Sequence, residues 1–129
     1  MKKQKKKAWT IFSIYIRRKY ADSNGYVRCV TCGAIKHWKQ GMQAGHFIDS
    51  RNNSVLFDER LVHPQCVGCN MFKRGNKVKY TLFMLKKYTQ DEIEGFFALK
   101  YKIKKMTKAD YEEIEKTYKR KVEELDNGF

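Results

Sequence analysis

Two cysteine pairs constrain this chain more than any other feature. They read Cys29-Val30-Thr31-Cys32 and Cys66-Val67-Gly68-Cys69, with 33 residues between them. A two-residue gap lets one turn aim both sulfurs at a single ion. Two such turns complete a tetrahedral thiolate site for zinc. Gly33 follows the first pair, where the backbone has to turn tightly. Two disulfides are the competing reading, which an intracellular chain disfavours; a redox pair would leave the other pair idle. The expectation is therefore a structural zinc held by Cys29, Cys32, Cys66 and Cys69. A chain of 129 residues makes one small domain, whose modest core gains from such a staple.

The rest of the chain sorts around that staple. Residues 1–25 read as a basic arm leading into an amphipathic helix, with Trp9, Phe12, Ile16 and Tyr20 on one face. A basic start and an apolar run at Ala8–Ile16 imitate a signal peptide. Arg17-Arg18-Lys19 follows, without a small-residue cleavage pattern, so the chain reads as intracellular and, by extension, cytoplasmic. Residues 26–90 read as the zinc-stapled core. Extended pieces are expected at Tyr26–Val30, Gln43–Ile48 and Leu61–Gln65, with Asp49–Ser54 a polar loop. Pro64 restricts the last piece to an edge or ends it at once. A helix follows Cys69, with Val78, Leu82, Met84 and Leu85 as its apolar positions. Residues 91–129 form a helical extension. One helix is expected over Asp91–Lys105, and another from the Thr107-x-x-Asp110 start signal.

Charge narrows the partner. Lys and Arg number 28 against 14 acids, a formal +14. Residues 107–129 hold seven acids and five bases, so the preceding 106 carry +16. A field of that sign favours a polyanion, nucleic acid first and an anionic membrane surface second. No stretch approaches the ~18 apolar residues of a membrane span.

The histidines suggest the chemistry. His46 lies in Ala44-Gly45-His46-Phe47, His63 lies in Val62-His63-Pro64-Gln65, and Asn70 directly follows Cys69. Strand, loop, strand and then helix is the ββα-metal arrangement, also called HNH or His-Me finger. There a histidine takes a proton from water while polar ligands hold a divalent cation against the scissile phosphate. The run Gln43–Phe47, Phe57-Asp58-Glu59, Val62–Asn70, and Gly75-Asn76 with Tyr80 resembles the NinG (Rap) recombination proteins of lambdoid phages. More distantly, two CxxC pairs flanking a histidine, with Asn after the last Cys, resemble phage endonuclease VII. Those resemblances imply a structure-specific endonuclease acting on branched recombination intermediates, such as D-loops or Holliday junctions. They also imply His46 as general base and Asn70 as metal ligand.

The sequence departs from those patterns twice. Gly45 stands where an acidic ligand often precedes the histidine, and Arg60 stands where many HNH proteins have Asn. His63 is the first substitute ligand; Asp49, Asp58, Asn52 and Asn53 are others. The expectation is thus an α+β fold, a small HNH-like core stapled by zinc with flanking helices. It would hydrolyse DNA phosphodiesters with magnesium or manganese on Asn70 and His63. Arg51, Lys73, Arg74, Lys77 and Lys79 are the expected phosphate contacts. A non-catalytic zinc-ribbon DNA-binding or recombination-mediator module is the rival reading. Finally, the stripe Tyr111, Ile114, Tyr118, Val122 and Leu125 advances by an average of 3.5 residues, the period of a helix–helix seam. It makes 107–126 a candidate homodimer contact, with packing on the Phe96-Phe97 face of its own chain as the alternative.

Overall fold

The computed structural model describes residues 2–128. In chain order its elements are α1 (Lys2–Arg18), β1 (Tyr26–Arg28), β2 (Ile35–His37), β3 (Met42–His46), α2 (Asn53–Leu56), β4 (Val62–Cys66), a π-helical turn (Gly68–Phe72), α3 (Lys77–Leu85), α4 (Gln90–Leu99) and α5 (Lys108–Asp126). The fold is mixed α+β, with two antiparallel hairpins, β1–β2 and β3–β4. No helix among the described residues is long and apolar enough to cross a membrane.

The β3–β4 ribbon is the middle layer. Its register pairs Ala44 with Pro64, Gly45 with His63 and His46 with Val62. Side chains alternate along a strand, so Ala44, His46 and Val62 face one way and His63 and Gln65 the other. The first face packs on α1 and α5 through Phe12, Ile16 and Tyr118. Across the ribbon, Phe47, Leu61, Tyr80, Met84, Ile93 and Phe96 form a second cluster with α3 and α4. A third cluster holds three of the cysteines with Val27 and Met42. Every residue of β4 is buried, because helices cover both of its faces.

Several boundaries differ from expectation for physical reasons. The basic arm is not separate from the helix, since α1 begins at Lys2. It ends at Arg18, before Tyr20, which is 56% exposed. Pro64 does not end its strand. It sits mid-β4 in a two-stranded ribbon, where every strand is an edge, and its carbonyl accepts from the Val30 N–H at 3.0 Å. The expected loop at 49–54 is shorter, since α2 begins at Asn53 and runs to Leu56. On α3 the core face is Tyr80 and Met84, while Val78, Leu82 and Leu85 are exposed. Met84 is the one expected apolar position of α3 that is buried, and Tyr80 completes that face. Helix α4 ends at Leu99 rather than Lys105. There Ser54 Oγ donates to Leu99 O at 2.8 Å and Asn52 Nδ2 to Lys100 O at 2.8 Å, capturing carbonyls at the helix end. The start of α5 carries a capping box, Thr107 with Asp110.

The stripe on α5 meets α1 of the same chain. The ring of Tyr118 sits edge-on to Phe12 at 4.8 Å and lies 5.4 Å from Tyr15. Gln4 Nε2 donates to Glu115 Oε1 at 2.9 Å. Tyr111 and Tyr118, two members of the expected dimer seam, are buried. Tyr118 finds its aromatic partners on α1, a helix outside the expected seam, and Tyr111 lies 6.2 Å from Phe57.

Candidate functional site

Four sulfurs converge where the hairpins meet. The Sγ atoms of Cys29, Cys32, Cys66 and Cys69 all lie within 4.8 Å of one another. Those of Cys32 and Cys66 are 3.7 Å apart. A zinc tetrahedron with bonds of about 2.3 Å has an edge of about 3.8 Å, so the cluster fits a structural metal such as zinc. Burial opposes charge on Cys29, yet the Thr31 hydroxyl and nearby backbone groups outweigh it and bring the thiol down to about 6. Cys66 goes the other way, pushed up mainly by burial. One thiolate discouraging the next is what a bound cation relieves. Further support comes from the Cys69 N–H, 3.4 Å from Cys66 Sγ, and from Asn76 Nδ2, 3.5 Å from Cys69 Sγ.

Beside this cluster runs an open cleft of about 520 Å³, which His46 and Asn70 line together with Trp9, Arg17, Gln43 and Arg51. The end of β3 supplies His46, and the cysteine-braced turn supplies Asn70. The His46 ring stacks on Trp9 at 4.9 Å and 20°, and Arg51 lies over the other partner of that stack, 5.6 Å from the Trp9 ring. Burial, helped by the positive charge of Arg51, lowers the His46 pKa to about 4. The imidazole is therefore neutral at neutral pH. Its Nε2 is buried and has no hydrogen-bond partner among the described residues. Asn70 Nδ2 donates to Gln43 Oε1 at 2.7 Å, which leaves Oδ1 of Asn70 to face other partners.

His63 is elsewhere. It pairs with Gly45 across the ribbon and so projects from the face opposite His46. It is 3% exposed, and its Nδ1 lies 2.9 Å from the Tyr80 hydroxyl. That hydroxyl donates its one proton to Gly45 O at 2.8 Å, so His63 Nδ1 is the donor to Tyr80. The structure thus gives His63 a positioning contact, one step removed from the backbone that carries His46. Lys77 is also engaged. Its Nζ donates to the carbonyls of His46 at 2.6 Å and Phe47 at 3.0 Å, and pairs with Asp49 at 3.0 Å. Asn52 and Asn53 clamp the 100–104 backbone, and Asp58 is bound to Arg60. Arg51, Lys73, Arg74 and Lys79 are exposed.

Gly45 has a steric explanation. A Cβ there would meet Gln65 Oε1 at 1.9 Å. Gln65 is fully buried, and its Nε2 donates to Gly75 O at 2.8 Å and to Thr31 Oγ1 at 3.2 Å. The space a carboxylate would need at position 45 holds the amide that ties the first cysteine turn to the 75 loop.

Trp9, Arg17 and Gln43 entered none of the site assignments made from sequence. A signal existed for two of them. Trp9, Ser13 and Arg17 recur every four residues and line one face of α1, beside the buried Phe12–Ile16 face.

A family model described as Bacteriophage Lambda NinG protein matches residues 1–128. Protein ninG of Salmonella phage P22 is 29% identical over 126 residues, covering 88% of this chain and 58% of its own length. Protein ninG of Escherichia phage 933W is 30% identical over 129 residues, with 90% and 60% covered. For Protein ninG of Escherichia phage lambda the identity is 29%, with 90% and 59% covered. The chain spans about three fifths of the length of these relatives. No solved structure matches the chain.

Proposed function

This chain belongs to the NinG family, and from that premise we propose that it is a metal-dependent endonuclease of the HNH type that hydrolyses phosphodiester bonds in branched DNA during phage recombination. One observation carries the reading. A neutral histidine with an unpartnered ring nitrogen and Asn70 line one cleft, rimmed by exposed Arg51. Neutral His46 accepts the proton of the attacking water. The Trp9 stack and the Lys77 bonds to the backbone at 46–47 hold its ring in place. Asn70 Oδ1 would hold a divalent cation, magnesium or manganese, which supplies positive charge at the phosphate when bound. Arg51, Lys73, Arg74 and Lys79 hold the DNA backbone. A zinc held by Cys29, Cys32, Cys66 and Cys69 would brace the turn that carries Asn70. The working compartment is the host cytoplasm, where the DNA is.

A second reading has its own support. No carboxylate lines the cleft among the described residues, and Gln65 excludes one from position 45. That favours a non-catalytic zinc module that binds DNA or mediates recombination.

Cleavage assays on linear duplex, fork, D-loop and four-way junction, with and without magnesium or manganese, separate the two. The nuclease reading expects metal-dependent cutting of the branched forms. It also expects His46→Ala to keep DNA affinity and lose about 10²–10⁴-fold in rate. Asn70→Ala should raise the metal concentration needed. Tight binding with no cutting in either metal would establish the second reading instead.

A further inference from the structure

Next to the cleft, the chain exposes two large apolar side chains that belong to none of its three hydrophobic clusters. Phe72 is 83% exposed and Met71 58% exposed. They sit on the π-helical turn Gly68–Phe72, directly after Asn70, so they stand beside the candidate site. Their backbone is held firmly. Lys73 N–H donates to Gly68 O at 2.9 Å, and Gly75 N–H to Cys69 O at 2.8 Å. Gln43, which bonds Asn70, also reaches Met71 Sδ at 3.5 Å. The next two residues, Lys73 and Arg74, are exposed cations.

An apolar tip on a braced turn, followed by two cations, does not suit an apolar protein partner, which would have to bury Lys73 and Arg74. It suits a ligand that is anionic along one edge and offers flat apolar rings on the other. A nucleic-acid strand with unstacked bases has both properties. We propose that Phe72, supported by Met71, is a base-stacking wedge: it packs against an unpaired or partly unstacked base while Lys73 and Arg74 hold the adjoining phosphates. Apolar side chains inserted at base steps work in this way. The wedge deepens the nuclease reading and rests on it, since it makes the unpaired bases at a branch point the feature recognised. Inside a continuous duplex both faces of every base are already stacked, so the tip biases binding toward branches without reading sequence.

The test uses the full chain with its zinc and two labelled DNAs of equal length, a fork with unpaired arms and a continuous duplex. Affinities are measured by fluorescence anisotropy at one salt concentration without added magnesium or manganese. Phe72→Ala should weaken fork binding about tenfold or more, as loss of one base stack does, and leave duplex binding unchanged. Phe72→Trp should retain the fork preference. Charge reversal at Lys73 and Arg74 should weaken both DNAs together. At this exposure neither Phe72 variant disturbs the fold, which zinc content and circular dichroism verify. Equal fork affinity for wild type and Phe72→Ala would overturn the wedge while leaving DNA binding intact. A dimer that Phe72→Ala splits, with DNA affinity unchanged, would overturn it in favour of a self-contact. Absence of DNA binding by the wild type would end the wedge and the nuclease reading together.

Discussion

His46 and His63 differ in surroundings but share a titration behaviour. Burial lowers both to about 4, whereas an unfolded chain binds a proton at roughly 6.5. Between those values the unfolded state takes up more protons, so their contribution to stability is fully present above about pH 6.5 and is lost as pH falls toward about 4. Urea midpoints measured with zinc in excess should fall through that window, and His63→Gln should flatten the slope. A slope unchanged by His63→Gln would remove that residue from the account. The histidines themselves were legible in the sequence as residues of interest, but their relation was not. Whether His63 faces His46 depends on a one-residue choice of register, because each step along a strand reverses the face. The same limit hid Gln65, whose clash with any side chain at position 45 exists only once the two strands pair.

Among the elements, the β3–β4 ribbon and the cysteine turns were the most legible, since a CxxC spacing and short apolar runs speak for themselves. The pairing of α1 with α5 was the least. Its two helices lie at opposite ends of the chain, and their tyrosine and phenylalanine stripes do not name each other. Phe12 is fully buried between Tyr118, Phe57 and Trp9. Phe12→Ala should cost about 3–5 kcal/mol, read as a lower urea midpoint. It should also loosen Trp9 and with it the stack on His46. The same seam has a polar lock. Glu59 accepts from Tyr118 at 2.7 Å and from Lys121 at 2.9 Å, and pairs with Lys19 at 3.3 Å. Burial works against its charge, but these partners outweigh it and lower its pKa. For the cysteine turns, Cys66→Ala should abolish the one zinc expected per chain and unfold the core, given apparent binding energies of ~10–16 kcal/mol in zinc-finger peptides. A folded, metal-free Cys66→Ala variant would contradict a structural metal.

For the whole molecule the dominant quantity is a net charge of +14, concentrated outside α5. If DNA is held through its phosphates, affinity should fall ~10³–10⁵-fold between roughly 50 and 200 mM salt for about six to ten contacts. A salt-insensitive affinity would exclude that mode. The charge excess was plain from the residue counts. Which cations are free was not, since Lys77 is engaged by backbone carbonyls and an aspartate that only the folded loop brings to it. The α1–α5 contact also sets a timetable. Gln4 and Glu115 are 111 positions apart, so on the ribosome α1 emerges well before α5, with the Tyr118 side of Phe12 uncovered. At about 5–20 residues per second, it waits several seconds for α5 to be made. Contacts of such separation also slow folding. During that interval the nascent helix is an apolar face carrying a run of lysines, the kind of segment that a chaperone holds until synthesis catches up.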